Sequence, residues 1–521
     1  MHTVIEMWGA CLLLGLGIVF LWTLPACIAH RSPWFIGACW LAIYMSWYLY
    51  SPVHRGPPSI LKSTERAHES YRNWADTESC SPNLIHVQNS SHLEQVVRTH
   101  DKIRVAGGGH SWAPFVCSET VLRLAYCDMV MIGNDVSADA GCKIEDVQAY
   151  LSARGRQLHG YGSIQEQTLA GGLMTALHGA QFHSFASHMI SGSAVLANGT
   201  RVQADPHYWA YSMGMLGVLD RVRLKTYPLQ SVQVEERFVS LGGINNVLFN
   251  TTMMAFTVKT MWGTSRDVYH LRAFSHPEST TQVFKTPAYD WDAFLHDNIV
   301  LPALVLGSHY LRWIPVISMY YGEQDKRMPL LEAWYRYPEY GFRSSEYSVP
   351  IGKCVEVVRA LRPIAKPHII TLEVRKLFAD PKCLSWVQED SCLIDTSFTD
   401  ASLRNFDTHV DRYHRAVERI IAAHGGRPHW GKWYASPLHN ISIPCKEEFL
   451  EMRQEMDPTN KFVNAYTWEW ISGTPAPERR RSSAIQERAW KYRTFYMLGL
   501  IAVVGQWIWW CLPTTGRKKR F

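Results

Sequence analysis

Several signatures of common protein classes are missing from this chain of 521 residues. None of its 12 cysteines stands in a Cys-x-x-Cys pair, so that spacing, typical of zinc and redox sites, is absent. Charged residues make up only 19% of the sequence and hydrophobic residues 47%, which excludes a disordered protein. No internal repeat stands out. A chain of this length and composition can support two or three domains with their own cores.

The sequence also has no large excess of positive over negative charge. The 52 lysines and arginines only slightly outnumber the 46 aspartates and glutamates, which gives a formal net charge of +6. Much of that excess lies in two short runs near the C-terminus, 479–481 and 517–520, where it favours a membrane flank over a nucleic-acid surface. We therefore expect a lipid bilayer among the partners, and no nucleic acid.

Eight of the cysteines lie outside the apolar ends of the chain, and they form no cluster of the metal-binding type. We expect no metal site. Cys383 and Cys392 are close enough in sequence to bridge one another. A pair of buried free thiols is at least an equal alternative for these two residues.

Three long apolar stretches stand at the ends of the sequence. Residues 7–29, 34–50 and 494–512 approach the roughly 20 apolar residues that a spanning helix needs, although the second is shorter and rich in Trp and Tyr. A cleaved signal peptide is the alternative for the first stretch, but no basic segment precedes it and a second apolar stretch follows at once. We expect N- and C-terminal transmembrane helices that anchor the chain.

We expect a fold of the α+β class. Composition divides the chain into seven segments. Short β-type runs alternate with helical ones in the first globular region, whereas the second has aromatic-rich strands around 341–349 and 368–378 and an amphipathic helix around 402–423. The expected segments are a two-span anchor (1–50), a linker (51–75), a first domain (76–228), a second domain (229–471), a basic linker (472–493), a transmembrane helix (494–512) and a basic tail (513–521).

Two glycine-rich segments of the first domain predict a ligand cradle. The run Gly107-Gly108-Gly109-His110-Ser111 follows a β-type segment, and its backbone can bend sharply and turn consecutive N–H groups toward an anion. The second segment, about fifty residues further on, runs from Gly160 to Gly172 and continues to His178-Gly179. Alone, each predicts only a tight turn, and the first lacks the dinucleotide-binding spacing. Together the two loops can hold a pyrophosphate from both sides.

These segments resemble the FAD-binding domain of the vanillyl-alcohol-oxidase superfamily and, within it, the aldonolactone oxidases that include gulonolactone and arabinonolactone oxidases. The resemblance covers most of residues 76–471. It implies an FAD-binding domain followed by a substrate (cap) domain, with FAD bound covalently to His110; a histidine that only hydrogen-bonds in a turn is the alternative. The residues that the resemblance places around FAD are His110, Gly107, Gly108, Gly109, Ser111, Gly162, Ser163, Gln167, Gly171, Gly172, His178, Gly179 and Val218.

A second set of polar residues lies far downstream. Glu373 and Arg375 alternate on a predicted strand, so both point to one face, where they can bind neighbouring hydroxyls and stabilise a developing alkoxide. Alone, such a pair is usually an exposed ion pair. Together with the later run Arg427-Pro428-His429-Trp430-Gly431-Lys432, it resembles the substrate domain of the same family. The resemblance implies that Glu373 and Arg375 hold the substrate and that Lys432 lies beside flavin and substrate. For His429, a direct role and a structural hydrogen bond are both open.

Gly162 bears on the electron acceptor. In the family, the residue before Ser-Ile-x-Glu-Gln tends to be Gly in oxidases and Ala in dehydrogenases, whose extra methyl group obstructs dioxygen. The resemblance therefore implies an FAD-dependent sugar-1,4-lactone oxidase that oxidises the carbon next to the carbonyl, giving ascorbate or an analogue plus hydrogen peroxide. The alternatives are a lactone dehydrogenase with a cytochrome or quinone acceptor, an alditol oxidase, and a non-catalytic membrane flavin scaffold.

The termini carry opposite indications of topology. Lys518 and Lys519 resemble a di-lysine endoplasmic-reticulum retrieval signal, which must face the cytosol, and a single intervening span then leaves the catalytic domain in the lumen. Basic residues before the last span favour the cytosol instead, under the positive-inside tendency. We expect an integral membrane protein of the endoplasmic reticulum with a lumenal catalytic domain; a mitochondrial membrane is the alternative. Sequons compatible with the lumen lie at Asn89, Asn198, Asn250 and Asn440.

Overall fold

A computed structural model describes the part of the chain that carries the two predicted domains. The described residues are 70–74, 77–179, 181–251, 253–260, 268–282, 324–330, 342–365, 371–399, 406–435 and 444–473. The predicted spans at 7–29, 34–50 and 494–512, the basic linker beyond residue 473 and the basic tail lie outside them. Within the described ranges, no helix is long and apolar enough to cross a bilayer.

The first half of the described chain holds small sheets. Strands β3, β4 and β5 form a parallel sheet in the order β3-β5-β4, and an antiparallel sheet has the order β10-β9-β11-β7-β6. Two further strand pairs, β1-β2 and β12-β8, are antiparallel. The strands are β1 (Tyr71–Arg72), β2 (Ser79–Cys80), β3 (Asn83–Val87), β4 (Ile103–Val105), β5 (Thr120–Leu124), β6 (Met129–Ile132), β7 (Asp135–Asp139), β8 (Arg156–Gln157), β9 (Met189–Val195), β10 (Arg201–Ala204), β11 (Val218–Lys225) and β12 (Tyr227–Pro228).

Four helices accompany these strands, and most begin at a residue that can cap them. Asn89 accepts a hydrogen bond from the backbone N–H of His92 at the start of α1, and Thr168 accepts one from Gly171 at the start of α3, so exposed helix donors are satisfied. The helices are α1 (Ser90–Thr99), α2 (Ile144–Ser152), α3 (Leu169–Met174) and α4 (Pro206–Trp209). The alternation of β-type and helical runs that the sequence predicts for this region is confirmed.

The second half of the chain is built on one antiparallel sheet of eight strands, in the order β16-β13-β15-β14-β18-β19-β17-β20. Buried and partly exposed residues alternate at 231–235, whereas residues 344–349 and 391–396 are buried without a break. The strands are β13 (Gln230–Ser240), β14 (Met253–Thr260), β15 (Val268–Ser279), β16 (Gln324–Pro329), β17 (Phe342–Pro350), β18 (Thr371–Leu377), β19 (Ser391–Thr399) and β20 (Arg427–Pro428).

Helices cover this sheet and form the second core. Val357 and Leu361 of α6 and Val417 of α7 pack with Val374 and Ile394 of the sheet, all fully or almost fully buried. Each such side chain contributes on the order of 1.5–3 kcal/mol by its removal from water. The helices of this half are α5 (Gly243–Leu248), α6 (Cys354–Ala365), α7 (Phe406–Ala423), α8 (Lys446–Met456) and α9 (Ala465–Ser472). The predicted amphipathic helix near 402–423 is confirmed as α7.

The end of the expected linker contacts the glycine loop. Tyr71 is only 2% exposed, and the Asn73 side chain donates a hydrogen bond of 2.8 Å to the carbonyl of Ser111. Trp74 donates its backbone N–H to the carbonyl of Gly109 at 2.8 Å. The last polar residues of the expected linker are therefore bound to the glycine loop.

All eight cysteines of the described residues are paired, in four disulfides. Neither expectation for Cys383 and Cys392 is correct, since they are neither bonded to each other nor free. Proximity in sequence misled here because β19 carries Cys392 against helix α6 in the second core, whereas Cys383 lies in a loop that meets the start of α8. The pairs are Cys80–Cys117, Cys127–Cys142, Cys354–Cys392 and Cys383–Cys445.

Candidate active site

A large cavity lies between the two glycine-rich segments of the first half. It contains about 1050 Å³ of space, counting the part that is open to solvent. Of the thirteen residues expected around FAD, nine line this cavity: Gly107, Gly108, Gly109, His110, Ser111, Gln167, Gly171, Gly172 and Val218. The chain thus brings both predicted loops to one cavity.

The glycines of the cradle are required by close approach of neighbouring backbone. A Cβ atom at Gly107 would lie 2.4 Å from Thr168 Oγ1, and one at Gly108 would lie 2.8 Å from the carbonyl oxygen of Glu166. Gly109 has a φ of +70°, a left-handed conformation that other residues rarely adopt. A side chain at the first two positions would push the two loops apart, so only glycine lets them meet along the cavity wall.

His110 is buried at the edge of this cavity. Its side chain is 6% exposed, and its Nε2 lies 3.7 Å from Glu166 Oε2. Its other ring nitrogen, Nδ1, is buried and has no hydrogen-bond partner among the described residues. Burial without a partner is costly for a polar atom, on the order of 1–3 kcal/mol. The cavity wall therefore offers an imidazole nitrogen, and also the unpartnered Oε1 of Gln167, to a ligand.

The glycine loop of the first half is joined to the downstream Arg427–Lys432 run. Trp112 donates its backbone N–H to the carbonyl of Gly431 at 2.8 Å. The ammonium of Lys432 lies 4.6 Å from the centre of the Trp112 ring, a cation–π contact. A Cβ at Gly431 would lie 3.1 Å from the carbonyl of Thr175 and 3.4 Å from Ser111 Oγ, both cavity-lining residues. Gly431 and Lys432 of this run therefore stand directly beside the cradle.

Three carboxylates form a row across the eight-stranded sheet. Asp395 of β19 is directly opposite Glu373 of β18 on one side and Glu346 of β17 on the other. Directly opposed residues share a face of the sheet, and like charges in that position repel one another. All three are buried or nearly so, with Glu346 1% and Asp395 5% exposed. A row of this kind is stable only if cations neutralise it.

Two cations, Arg375 and Lys432, neutralise the row. Arg375 Nε donates a hydrogen bond of 2.9 Å to Glu373 Oε1, and its Nη1 lies 3.5 Å from Glu346 Oε1. Lys432 Nζ lies 2.9 Å from Asp395 Oδ2 and 3.5 Å from Glu346 Oε2. Burial by itself would lower the pKa of Arg375, but Glu373 and Glu346 outweigh it and hold that pKa above its ordinary value. The cation therefore persists at every physiological pH.

Glu346 connects the two cations to a histidine. The ring of His178 places Nε2 3.1 Å from Glu346 Oε2, while its Nδ1 faces the carbonyl of Gly179 at 3.1 Å. Burial would raise the pKa of Glu346, but His178, Lys432 and Arg375 together outweigh it and hold that pKa well below its ordinary value. Glu346 is thus an ionised, fully enclosed carboxylate.

His429 has a different character. Its Nδ1 accepts a hydrogen bond of 2.9 Å from the backbone N–H of Gly431, so that nitrogen carries no proton. Burial, the largest influence, holds the pKa of His429 well below its ordinary value. The ring is neutral and packs against His178 and Trp386, at 5.4 and 4.8 Å between ring centres. This geometry supports the structural role that the sequence left open.

Four of the residues expected around FAD do not line the cavity. Gly162 lies against Leu177, whose Cδ1 would be 3.0 Å from an added Cβ, and His178 belongs to the carboxylate cluster instead. Gly179 supplies the carbonyl that faces His178, and Ser163 follows Gly162 in the same loop. The second loop therefore contributes residues both to the cradle and to the polar cluster beside it.

Three further residues of this cluster were not predicted from the sequence: Glu346, Asp395 and Ser344. Ser344 Oγ donates a hydrogen bond of 2.7 Å to Asp395 Oδ2 and accepts one of 2.8 Å from Lys432 Nζ. A signal was present, because Ser344 and Glu346 alternate in an aromatic-rich strand as Glu373 and Arg375 do. Nothing in the sequence indicated that these strands are neighbours of the same β19.

Two family models match the two halves of the chain. Residues 84–205 match the model described as FAD binding domain, and residues 222–470 match the model described as D-arabinono-1,4-lactone oxidase. The cradle lies mainly in the first match, and the row of carboxylates lies in the second. The comparison thus assigns a description to each half on grounds independent of the geometry.

Individual relatives match this chain over almost their full lengths. An L-gulono-1,4-lactone dehydrogenase of Mycobacterium tuberculosis is 24% identical over 438 residues, or 76% of this chain and 98% of that protein. An L-gulonolactone oxidase of Mus musculus is 24% identical over 440 residues, or 76% of this chain and 97% of that protein. A crystal structure of cholesterol oxidase from Brevibacterium sterolicum covers 80% of this chain and 99% of its own, with a TM-score of 0.61 and 13% sequence identity. The described fold is the mixed α/β FAD-binding fold of that structure.

Proposed function

The chain belongs to the aldonolactone oxidase family of the vanillyl-alcohol-oxidase FAD superfamily, and from this we propose that it oxidises a sugar-1,4-lactone at the carbon next to the carbonyl. Hydrogen peroxide and ascorbate, or an ascorbate analogue, are the products. Residues 76–228 act as the FAD-binding domain and residues 229–471 as the substrate domain. The observation that carries the proposal is Arg375, held between Glu373 and Glu346 beside Lys432.

FAD fits the cradle, and it would supply the acceptor for the hydride that leaves the substrate carbon. The chain's own residues supply orientation and charge. Glu373 accepts a hydrogen bond from one substrate hydroxyl, while the fixed fork of Arg375 faces the hydroxyl being oxidised and stabilises the negative charge that develops on its oxygen. Lys432 adds a second positive charge at the junction with the cradle. Burial of the cluster excludes water, which strengthens each of these interactions.

The test is a panel of substrates. The full-length chain, purified in detergent, is mixed anaerobically with gulono-, galactono- and arabinono-1,4-lactone and with alditols, while the flavin absorbance is recorded. At least one lactone is expected to bleach the flavin, and hydrogen peroxide is expected in an amount equal to the lactone consumed after dioxygen is admitted. Bleaching by alditols alone would assign the chain as an alditol oxidase, and a flavin that no compound bleaches would leave a scaffold.

We further infer that FAD is bound covalently through His110. This is supported by the burial of the imidazole at the cavity, by its unpartnered Nδ1 and by the close approach of both loops that glycine permits. A turn histidine that served the fold alone would use both ring nitrogens within the protein, because an unpartnered buried polar atom is destabilising. The flavin is expected to remain on the protein after denaturation, and His110→Ala is expected to release it.

Dioxygen is the proposed electron acceptor, and Gly162 supports it. A lactone dehydrogenase is the second candidate, because the relative from Mycobacterium tuberculosis bears that name. An alanine methyl at residue 162 would lie 3.0 Å from Leu177 Cδ1, which would have to shift, and 3.6 Å from Oε1 of Gln167, a residue that lines the cavity.

Gly162→Ala is therefore expected to slow reoxidation by dioxygen about tenfold or more while flavin reduction by lactone changes little. Stopped-flow absorbance measures the two half-reactions separately. Gly352→Ala is the matched control, because nothing lies within 4 Å of a Cβ at that exposed position. Equal reoxidation rates in wild type and Gly162→Ala would show that dioxygen reaches the flavin by another route.

The catalytic part of the chain is proposed to lie in the lumen of the endoplasmic reticulum, anchored by the apolar ends. The four disulfides among the described residues support this, because such bonds persist in oxidising compartments and are rare in the cytosol. Asn198, the sequon residue in the turn before β10, is exposed.

Protease treatment of intact microsomes is expected to remove a C-terminal epitope and leave the flavin domain whole. In the same sample, glycosidase is expected to increase the electrophoretic mobility of the chain, and Asn198→Gln to abolish one step of that shift. Digestion of the flavin domain without detergent would place it in the cytosol and overturn the proposed topology.

A further inference from the structure

His110 and Glu166 form a pair whose geometry the lactone reaction does not use. Glu166 Oε2 lies 3.7 Å from His110 Nε2, on the side of the ring away from the unpartnered Nδ1. The backbone of Glu166 is fixed against the first loop, since its carbonyl oxygen would lie 2.8 Å from a Cβ at Gly108. The glycine loop therefore holds the carboxylate beside Nε2 of a ring that lines the cavity and whose other nitrogen, Nδ1, is buried without a partner.

The carboxylate decides which ring nitrogen carries the proton. A negative charge beside Nε2 favours a proton there and leaves the lone pair on Nδ1, the nitrogen that is buried at the cavity. Glu166 is ionised in this position, because the contact with His110, and to a lesser extent the charge of Lys143, lowers the pKa of its carboxyl group. An ordinary surface ion pair would leave the imidazole exposed, whereas the His110 side chain is 6% exposed.

We propose that Glu166 is the positioning residue that prepares His110 Nδ1 for covalent attachment of the flavin. This inference rests on the covalent FAD of the proposed function and adds the group that enables it. The chemistry requires a nucleophilic imidazole nitrogen, and it leaves a positive charge on the ring when Nδ1 is alkylated. Glu166 serves both needs, since it holds the Nε2 proton beforehand and neutralises the imidazolium afterwards.

The step balances with dioxygen as oxidant. A C–H bond of the flavin 8-methyl group breaks and its proton leaves to solvent, while a bond forms between that carbon and His110 Nδ1. The two electrons of the broken bond pass into the ring system and then, with two protons, to dioxygen, which becomes hydrogen peroxide. In sum, the methyl C–H bond is replaced by the N–C bond, the imidazolium keeps its Nε2 proton beside Glu166, and the two protons of hydrogen peroxide are supplied by the methyl group and by solvent.

The experiment follows covalent loading over time. The full-length chain is expressed under riboflavin limitation, purified, and incubated aerobically with FAD; samples are denatured, and flavin fluorescence in the protein band is measured. Glu166→Gln is expected to slow covalent loading by roughly tenfold or more, the scale of one lost opposite charge close to a titratable ring, while FAD still binds non-covalently and is released on denaturation. Glu166→Asp is expected to recover part of the rate. His110→Ala is expected to form no covalent bond.

Glu145→Gln is the matched control. Glu145 lies on helix α2, where its Oε1 is 3.2 Å from Lys143 Nζ, and it has no contact with the imidazole. It is expected to load at the wild-type rate. Loading of Glu166→Gln at the wild-type rate would refute the role of Glu166 and leave the covalent bond intact. A wild-type chain that binds FAD but never becomes fluorescent after denaturation would refute the covalent bond itself, while lactone oxidation is scored separately by bleaching.

Discussion

Replacing Arg375 by alanine is expected to lower the rate of flavin reduction at saturating lactone by roughly a hundredfold or more, the scale of a lost oxyanion donor. The guanidinium is fixed by Glu373 at 2.9 Å and by Glu346 at 3.5 Å, so it needs no rearrangement when charge develops on the substrate oxygen. A group that acts mainly in the transition state lowers turnover more than it weakens substrate binding.

The measurement is anaerobic stopped-flow reduction, with the amount of bound FAD determined in the same sample. Arg375→Lys is expected to recover only part of the rate, since an ammonium lacks the planar fork that contacts two carboxylates at once. Arg419→Ala, an exposed position on α7, is the control and is expected to behave as wild type. If Arg375→Ala reduced its flavin at the wild-type rate, the assignment of Arg375 as a catalytic residue would be refuted.

Replacing Glu346 by glutamine is expected to impair both stability and catalysis. The change keeps the size of the side chain but leaves His178, Lys432 and Arg375 facing the two remaining carboxylates, Asp395 and Glu373. Removal of one member of a buried ion cluster typically costs about 3–5 kcal/mol. The midpoint of thermal unfolding should therefore fall on the order of 5 °C.

Flavin fluorescence on heating measures the stability, and anaerobic reduction measures the rate, which is expected to fall at least tenfold as the cations lose their fixed positions. Glu356→Gln is the matched control, since that carboxylate is exposed on α6 and pairs with Lys353 at the surface. A Glu346→Gln chain with the wild-type midpoint and rate would show that Asp395 and Glu373 alone hold the two cations.

Local patterns in the sequence predicted the parts of the site that lie within one segment. The triple glycine with His110 could be predicted because a sharp turn requires glycine. The strand with Glu373 and Arg375 could be predicted because alternate residues of a strand share a face. The resemblance joined them into one site, and the structure brings both to the junction at Trp112 and Gly431.

Pairing between distant segments was not predictable from the same patterns. Asp395 belongs to the site only because β19 lies between β18 and β17, and the sequence of β19 does not indicate that strand order. The disulfides are a second example, since eight cysteines allow 105 connectivities and the observed bonds depend on the packing of α6 and α8. Burial has the same origin: Glu346 is an unremarkable strand carboxylate until the sheet and the His429 loop enclose it.

The cradle depends on the far end of the described chain. Arg104 donates to the carbonyls of Met213 and Phe462, both at 2.7 Å, and Lys461 accepts the backbone N–H of Ile103 at 2.8 Å while its ammonium reaches the carbonyl of Val97. Phe462 itself lines the cavity.

A ribosome therefore has to synthesise more than 350 further residues after Ile103 before the wall beside it is complete. Contacts so distant in sequence form slowly, because a long loop must close first. Cofactor loading is consequently a late event in the biogenesis of this chain, and a nascent chain stalled before Phe462 has an open cradle. A quality-control system that recognises bound flavin would therefore distinguish chains translated to the end of the catalytic region from shorter ones.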